Sequence, residues 1–335
     1  MTSQILNISK HLLNAKRVLV IDGAGISVDA GIPDFRSEMG LYELVKSKYP
    51  GVVTTGKDLF DAALFRNPTQ TALFYSFIAA LKVLSDNASI TKTHLFIKML
   101  ADTQKLLRCY TQNIDDLHER CGLIPGMDKT AQVVQMHGNL TTVKCTLCSL
   151  VKEFDSSTLS LFDDGKAPPC PDCMDKSQIR LAMGKRAINV GTLRPNIVLY
   201  NEHHAQGDSI AQLQNFDLKK RPDLLFVMGT SLKIPGVKNL IKSISELMKS
   251  TTTKSRPIIV YVNMTRAGRE WEEIFDYQLL GPSDQTCTLL WDKLNDLTAE
   301  AESRRAKRLL RKQKEEKIEA KITDYFPVKK GIVSY

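Results

Sequence analysis

The chain has 335 residues, of which 43% are hydrophobic and 25% are charged, and its formal net charge is +9. This composition is typical of a globular enzyme with one large domain and an insert, or with two domains. We find no run of eighteen or more apolar residues and no basic-then-apolar leader at the N-terminus, so we expect neither a membrane span nor secretion.

The basic charge is concentrated near the end of the chain. Nine Lys or Arg and three Glu fall between Ser303 and Lys321, a net of +6, which leaves +3 for all the other residues. This balance argues against a body that grips nucleic acid and assigns the basicity mainly to the tail.

The first element is an apolar run at 17–21 that leads into the glycine-rich segment Asp22–Ser27. Such a run is typical of a buried parallel strand, and glycines after it let the backbone approach a phosphate closely. We expect the next helix to direct its free N–H groups at the same anion. The motif alone is a weak signal, because Val28 stands where the dinucleotide fingerprint has its third glycine.

Further along the chain, strand-like runs alternate with helical periodicity. The runs lie at 17–21, 105–110, 132–136, 195–200, 223–228 and 257–262, and helical patterns lie at 69–84, 91–100 and 236–248. This alternation predicts an α/β fold with a doubly wound, mostly parallel sheet. We expect one domain from 1–139 and 191–297, a small module at 140–190, and from 298 to 335 a solvated basic helix with a flexible end.

Two Cys-x-x-Cys pairs lie within the small module. Cys145 and Cys148 are separated from Cys170 and Cys173 by twenty-one residues, with prolines at turn positions beside them. Four thiolates at this spacing predict a closed, structural zinc site, which leaves no open position for a catalytic water. The remaining cysteines, Cys109, Cys121 and Cys287, are interpreted as core thiols.

Polar residues follow the ends of several predicted strands, where open α/β sheets bind ligands. Thr111–Asp115 follows the second run, and its amides and carboxylate suit ribose hydroxyls and a carboxamide such as nicotinamide. The alternative is that Asn113 or Asp115 caps a helix that begins near Asp116. His137 also lies at a strand end and is a candidate general base. Gly229–Ser231 and Asn263 occupy two further strand ends, with a plain loop as the alternative for each.

The other histidines carry weaker signals. His94 lies in an apolar helix and is interpreted as a core histidine, whereas His118, His203 and His204 have no supporting pattern.

Taken together, these motifs resemble the sirtuin family of NAD-dependent protein-lysine deacylases. The resemblance extends from about Val18 to Leu297, and its motifs occur in the family's order: Gly23–Ser27, Gly31–Arg36, Thr111–Asp115, His137-Gly138, the four cysteines and Gly229–Ser231. It implies a Rossmann-like domain with an inserted zinc-binding domain, and NAD and substrate meeting between them.

The resemblance also implies roles for individual residues. His137 would be the general base, with Asn113 as its catalytic partner. The residues that would bind NAD are Gly23, Ala24, Gly25, Asp34, Phe35, Arg36, Gln112, Asn113, Ile114, Asp115, Gly229, Thr230, Ser231, Asn263 and, more loosely, Ser283 or Asp284. Phe35 would shield the reactive sugar from water. The implied products are free lysine, nicotinamide and O-acetyl-ADP-ribose, without hydride transfer.

The expected substrate-peptide segment is Leu199, Tyr200, Asn201 and Glu202, and it departs from the family pattern. Asn201 stands where the family usually has glycine, so we expect an altered peptide groove. Asn tolerates positive φ better than other non-glycine residues, so the turn itself can survive. The Leu-Tyr pair and the basic tail resemble the fungal nuclear branch that deacetylates the core region of histone H3.

The tail carries a separate motif. Ile322, Tyr325 and Phe326 resemble a box that binds the replication sliding clamp, with Glu319 in place of the usual Gln, and we expect a 3₁₀ turn there. The alternative is a tail that packs back on the body. The clusters at 304–308 and 311–314 predict a nuclear import signal or a DNA-contacting patch, with a solvated helix face as the alternative.

The leading hypothesis is therefore a nuclear NAD-dependent histone deacetylase. Alternatives are a mono-ADP-ribosyltransferase, an NAD dehydrogenase, which the closed zinc site disfavours, and a catalytically silent NAD-binding scaffold for the clamp.

Overall fold

The computed structural model describes residues 2–34, 56–250 and 256–325 of the chain. Its larger sheet has six strands in the order β3-β2-β1-β7-β8-β9, and every pair of neighbours is parallel. These strands are β1 (Val18–Asp22), β2 (Leu106–Thr111), β3 (Val133–Gln135), β7 (Leu224–Met228), β8 (Ile258–Asn263) and β9 (Tyr277–Leu280). The predicted doubly wound α/β fold is confirmed.

The order of the strands determines where this sheet can bind a ligand. Chain order reverses between β1 and β7, as in the 3-2-1-4-5-6 sheets that bind dinucleotides. Both strands are buried along their whole length, which explains why each reads as a continuous apolar run. The loops after β1 and β7 therefore meet at the switch point, the usual ligand position of open α/β sheets.

A second sheet of three antiparallel strands lies next to the cysteines. Its order is β5-β4-β6, formed by β4 (Gly138–Cys145), β5 (Val151–Glu153) and β6 (Leu193–Ile197). The strand-like run predicted at 195–200 is only partly a strand: β6 ends at Ile197. It belongs to this antiparallel sheet and not to the parallel one. β4, β5 and β9 were not among the predicted strands, because they are short, mixed in polarity or half-exposed.

The three helices predicted from periodicity are present, with ends that differ from the predicted ones by one to three residues. The helices of the described residues are α1 (Thr2–Asn14), α2 (Pro68–Asn87), α3 (Lys92–Asp102), α4 (Leu117–Arg120), α5 (Ser156–Asp163), α6 (Pro171–Ala182), α7 (Gly207–Lys219), α8 (Pro235–Ser250) and α9 (Ser283–Tyr325). Local capping explains several starts: Asn67 caps α2 ahead of Pro68, and Thr91 caps α3.

The segment after β1 differs from the expectation of a helix. The chain forms two three-residue 3₁₀ turns, Ala24–Ile26 and Val28–Ala30. Several of their amides are already bonded: Ser27 N–H donates to Ala24 O within the loop, and Gly25 N–H donates to Gly229 O of the loop after β7. The described part of this loop therefore offers no helix N-terminus to an anion, and the expectation was wrong there.

The chain divides into two compact units by its contacts. One contains residues 15–288 and thus both sheets, and the other contains Thr2–Asn14 and Leu289–Tyr335. Within the second unit, Ser9 Oγ donates to Leu290 O, and the side chains at 299–315 are exposed. The described part of the tail is helical to Tyr325, with exposed side chains as far as residue 315. None of the described helices combines the length and apolarity needed to span a membrane. The predicted domain bounds stay predictions.

Candidate active site

A cavity of about 1110 Å³ opens at the carboxyl ends of the parallel strands, within residues 15–288. Its lining brings together almost all of the predicted site residues that the structure describes: Gly23, Ala24, Gly25, Asp34, Gln112, Asn113, Ile114, His137, Leu199, Tyr200, Asn201, Glu202, Gly229, Thr230, Ser231, Asn263 and Ser283. Residues spread over 260 positions of sequence therefore share one cavity, because all these segments follow the ends of strands.

The two glycine loops at the switch point touch each other. Gly25 N–H donates to Gly229 O over 2.9 Å, and Gly229 has φ +59°. A Cβ on Gly25 would lie 2.7 Å from Gly229 Cα, closer than real side chains approach. Both positions thus require glycine, which keeps the cavity floor as bare backbone that a phosphate group can approach.

Gln112 links the parallel sheet to the candidate base. Its side-chain Nε2 donates to Asp22 O (3.0 Å) and to Thr230 Oγ1 (2.9 Å). Its backbone carbonyl oxygen lies 3.0 Å from His137 Nδ1. Because a carbonyl oxygen only accepts, His137 Nδ1 carries the proton, and the neutral ring keeps its lone pair on Nε2. Burial lowers the pKa of His137, against the opposing effect of the Gln112 carbonyl, so the ring is neutral at pH 7.

Asn113 and Asp115 are joined through Ser27. Asn113 Nδ2 donates to Ser27 Oγ over 3.2 Å, and Ser27 Oγ donates to Asp115 Oδ2 over 2.6 Å. Asn113 Oδ1 is buried at the cavity without a hydrogen-bond partner among the described residues. An orphaned amide oxygen of this kind is costly unless a ligand N–H or O–H reaches it. It therefore fits the carboxamide or hydroxyl groups of a dinucleotide.

Asp115 lies behind the cavity lining, where it contacts Ser27 and the start of α4. Its Oδ1 accepts from Leu117 N–H over 3.1 Å at the start of α4, so the capping alternative is correct in part. Burial raises the pKa of Asp115, although the Ser27 hydroxyl and the nearby His118 oppose that shift.

Asp22, at the end of β1, holds a buried ion pair beneath the site. Its Oδ2 lies 2.9 Å from His118 Nε2 and 3.0 Å from Cys109 Sγ, and its Oδ1 accepts from Thr111 Oγ1 over 2.5 Å. Burial alone would raise the pKa of Asp22, but the charge and hydrogen bond of His118, together with the hydrogen bonds of Cys109 and Thr111, lower that pKa overall. Burial alone would lower the pKa of His118, but the charge and hydrogen bond of Asp22, together with the charges of Asp115 and Asp116, raise it overall. The pair is therefore charged.

His94 is a core histidine, as predicted, but it is only partly satisfied. Its Nδ1 lies 2.7 Å from Thr91 Oγ1, which donates to Ile26 O, so the ring donates from Nδ1. Its Nε2 is buried without a hydrogen-bond partner in the described part of the chain, and its ring lies 4.8 Å from that of His118. Burial lowers the pKa of His94 to about 3, and the positive charge on His118 adds to this effect.

A second buried ion pair holds one wall of the cavity. Arg108 on β2 binds Asp217 on α7 in a bidentate manner, with distances of 2.6 Å from Nε and 3.1 Å from Nη2. Tyr110 OH donates to the same carboxylate over 2.7 Å. Because α7 lines the cavity through Ile210 and its neighbours, this pair fixes that wall to the sheet.

The four predicted cysteine ligands form one cluster. Their Sγ atoms all lie within 4.8 Å of one another, with Cys145–Cys173 at 3.8 Å and Cys148–Cys170 at 3.6 Å. Four sulfurs at the Zn–S distance of about 2.3 Å from a tetrahedral centre lie roughly 3.8 Å apart, whereas a disulfide needs about 2.05 Å. The cluster therefore fits a structural zinc ion.

The adenine-side assignment is decided between two neighbours. Ser283 lines the cavity, whereas Asp284 accepts from the backbone amides of Lys92 and Thr93, each over 2.8 Å, at the start of α3. Asp284 is thus a structural cap, and Ser283 remains the candidate. Asn263, also in the lining, bonds Thr265 locally.

The segment after β6 forms the opposite rim of the cavity. Arg194 binds Glu202 in a bidentate manner at 2.8 and 3.0 Å, and Leu199 N–H donates to Glu202 Oε2 over 3.0 Å. Asn201 has φ +59°, the left-handed conformation that its replacement of glycine demanded. Val198 N–H donates to His137 O over 3.0 Å, so a backbone hydrogen bond connects this rim directly to the candidate base.

Some predicted residues lie beyond what is described. Phe35, Arg36 and Phe326 are outside the described residues. Ile322 and Tyr325 lie in the α-helix α9, which ends at Tyr325, and not in the 3₁₀ turn that was expected for them. Sequence reasoning assigned no site role to several residues that support the site: Asp22, Ser27, Asp61, Arg108, His118 and Asp217. Asp22 and Arg108 did carry a signal, as charged residues inside apolar strands.

Comparisons with known proteins agree with this architecture. The model of the Sir2 family matches residues 23–236. HST3 of Candida albicans, named an NAD-dependent histone deacetylase, is 42% identical over 304 residues, which are 86% of this chain and 62% of that protein. The protein hst4 of Schizosaccharomyces pombe, named an NAD-dependent protein deacetylase, is 38% identical over 324 residues, covering 95% of this chain and 76% of that protein.

Solved structures agree at the level of the fold. A Sir2 homologue solved as an NAD complex superposes with a TM-score of 0.66 at 22% identity, covering 87% of this chain and 94% of that one. The chain belongs to the Sir2 family. The predicted class, a sirtuin-type enzyme that depends on NAD and carries a four-cysteine zinc module, is thereby confirmed.

Proposed function

We propose that this protein is a deacetylase of acetylated lysine on histones, with the core region of histone H3 as its target and the nucleus as its place of action. The observation that carries the proposal is the position of His137. Its Nδ1 is committed to the Gln112 carbonyl, and its ring lines the cavity between the glycine loops and the rim at Val198–Glu202. The names of the fungal relatives support histone as the substrate.

The residues divide the work of the proposed reaction. NAD, when bound, supplies nicotinamide as the leaving group and ADP-ribose as the acceptor of the acetyl group. The bare backbone of Gly25 and Gly229 would admit the phosphates, Ser231 would line the phosphates and riboses, and Asn263 and Ser283 would hold the adenosine end. Asn113 Oδ1 accepts a hydrogen bond from the carboxamide or ribose, with Ser27 and Asp115 holding its orientation.

His137 would perform the proton transfer. Its Nε2 would accept the proton of a ribose hydroxyl of bound NAD, and the Gln112 backbone carbonyl would stabilise the imidazolium through Nδ1–H. The proposed products are free lysine, nicotinamide and O-acetyl-ADP-ribose.

The test is mass spectrometry of the products after the full chain is incubated with NAD and acetylated histones. Deacetylated H3 together with O-acetyl-ADP-ribose supports the proposal, and His137→Ala serves as the negative control. ADP-ribosylated protein without deacetylation would instead identify a mono-ADP-ribosyltransferase. Binding of NAD without its consumption would identify a silent scaffold.

The tail supports two further proposals about partners. The box at Ile322, Tyr325 and Phe326 would bind the sliding clamp, and the basic face at 304–314 would contact DNA or an import receptor. Binding of the full chain to the clamp, measured by calorimetry, should disappear in a Tyr325→Ala/Phe326→Ala variant, whereas equal binding by that variant contradicts the box. Deletion of 303–317 should leave a fluorescent fusion outside the nucleus if the basic face directs import.

A further inference from the structure

We propose that Asp61, held beside the substrate rim by Asn201, selects acetylated peptides that carry a lysine or arginine within two residues of the acetyl-lysine. The inference rests on the proposed function, because it names the substrate preference of the same site.

The backbone of the rim places Asp61 next to Asn201. Tyr200 N–H donates to Phe60 O over 2.7 Å, and Ala62 N–H donates to Tyr200 O over 3.0 Å. These two bonds form a short parallel bridge in which Asp61 lies opposite Tyr200 of the rim. Phe60, Tyr200 and Asn201 line the cavity, so Asp61, which is bonded to Asn201 and paired with Tyr200, lies next to the path of a substrate chain that enters along the rim.

Asn201 fixes the carboxylate in that place. Its Nδ2 donates to Asp61 Oδ2 over 2.6 Å, a bond that glycine at this position has no side chain to make. The left-handed backbone of Asn201, φ +59°, retains the turn that glycine would form. The departure from the family pattern thus adds a charged group to the rim and keeps the rim's shape.

The charge of Asp61 is not neutralised by the described part of the protein. Its Oδ1 caps a 3₁₀ turn by accepting from Ala63 N–H over 2.9 Å, and we find no Lys, Arg or His paired with it among the described residues. Glu202, four-fifths buried nearby, differs, because Arg194 occupies both of its oxygens and Lys144 Nζ lies 3.9 Å away. Asp61 is therefore the rim carboxylate with charge to offer a ligand.

The surroundings reinforce a preference for positive charge. Among the described residues that line the cavity, the carboxylates are Asp29, Asp34 and Glu202, and neither lysine nor arginine is present. Asn201 is exposed, so a contact at Asp61 forms near water. An exposed ion pair of this kind changes affinity by roughly two- to fivefold at moderate ionic strength.

The experiment compares kcat and KM for three acetyl-lysine peptides that differ only in one flanking position: Lys, Ala or Glu. For the wild-type chain we expect kcat/KM to fall in that order, and we expect the change to lie in KM. The ratio of kcat/KM for the Lys peptide to that for the Ala peptide, the Lys:Ala ratio, should be roughly two- to fivefold. The ratio should approach one at 1 M salt, where the Debye length is about 3 Å. Equal kcat/KM for all three peptides in the wild type overturns the inference and leaves deacetylation itself intact.

Asp61→Asn removes the charge and retains a capping side chain. We expect its Lys:Ala ratio to fall to about one. The matched control is Asp155→Asn, because Asp155 also caps a helix, through Thr158 N–H at 2.8 Å, but lies away from the cavity. An equal loss of kcat/KM on all three peptides, with an unchanged Lys:Ala ratio, would show that Asp61 has only a structural role and would overturn its selective role.

Asn201→Gly tests the tether and restores the family's glycine. We expect a lower Lys:Ala ratio, because Asp61 loses the bond that holds it at the rim. An unchanged ratio in this variant overturns the part assigned to Asn201. Absence of deacetylation on every peptide would count against the proposed function and is distinguishable from each of these results.

Discussion

His118 Nε2 lies 2.9 Å from Asp22 Oδ2 in an ion pair that is buried on both sides, directly beneath the loop that carries Gln112 and Asn113. Asp22 ends β1 and also accepts from Thr111, the last residue of β2. The pair therefore ties together the ends of the two strands from which the site is built.

His118→Ala should destabilise the fold strongly, because it leaves the charge of Asp22 buried and unpaired. Removal of one partner of a buried pair costs about 3–5 kcal/mol in the free energy of unfolding. Urea denaturation measures this change, with the exposed His203→Ala as the control, expected within about 0.5 kcal/mol of the wild type. A loss below about 1 kcal/mol for His118→Ala would show that His118 and Asp22 are not ionised in the folded protein.

The same pair predicts a pH dependence of stability. The pKa of Asp22 is lowered from 3.8, so its contribution is present above that value and is lost as pH falls through the folded-state pKa. The pKa of His118 is raised from 6.5, so its contribution is full below 6.5 and is lost as pH rises through the folded-state pKa. The stability difference between the wild type and His118→Ala should thus be largest between about pH 4 and 6.5. A difference that grows above pH 7 would contradict this assignment.

His137→Ala should reduce kcat by roughly 10²-fold or more, the usual contribution of a general base, while NAD still binds. Because burial lowers the pKa of His137, the acid limb of the pH–rate profile should lie below pH 6.5. Calorimetry of NAD binding and steady-state kinetics between pH 5 and 8 measure both effects. Near-normal turnover in the variant would remove His137 from the proton transfer.

Gly25→Ala should weaken NAD binding by about tenfold or more and destabilise the fold by about 1–3 kcal/mol, because its Cβ would lie 2.7 Å from Gly229 Cα. Gly268→Ala is the control, since no atom lies within 4 Å of its added Cβ and its φ is −63°. Isothermal calorimetry and thermal melts separate the two effects. Unchanged binding in Gly25→Ala would show that the two loops can separate at little cost.

Cys170→Ser should reduce zinc content from about one atom per chain to near zero and lower Tm, since a structural site needs all four thiolates. Cys121→Ser removes a thiol outside the cluster and should retain the zinc. Elemental analysis of the purified chains measures the metal directly. Full zinc content in Cys170→Ser would contradict the four-cysteine site.

The local elements were predictable because their signals are local. The buried parallel strands read as apolar runs, the cysteine spacing defined the zinc module, and glycines with polar residues marked the strand ends. The positive φ of Asn201 followed from the residue type that it replaces. The helix expected after β1 was wrong because the described amides there bond within the loop and to Gly229, a partner more than 200 residues away.

The sequence by itself determined the family, the parallel sheet, the zinc ligands and about half of the residues that line the cavity, since each depends on spacing or on a nearby pattern. Only the tertiary structure decided which side chains are hydrogen-bond or ion-pair partners. It paired Asp22 with His118, joined Asn113 to Asp115 through Ser27, chose Ser283 over Asp284, and set Asp61 against Asn201. Each of these depends on which chain segments meet, and a hydrogen bond between side chains 88 or 140 positions apart leaves no mark in the local order of residues.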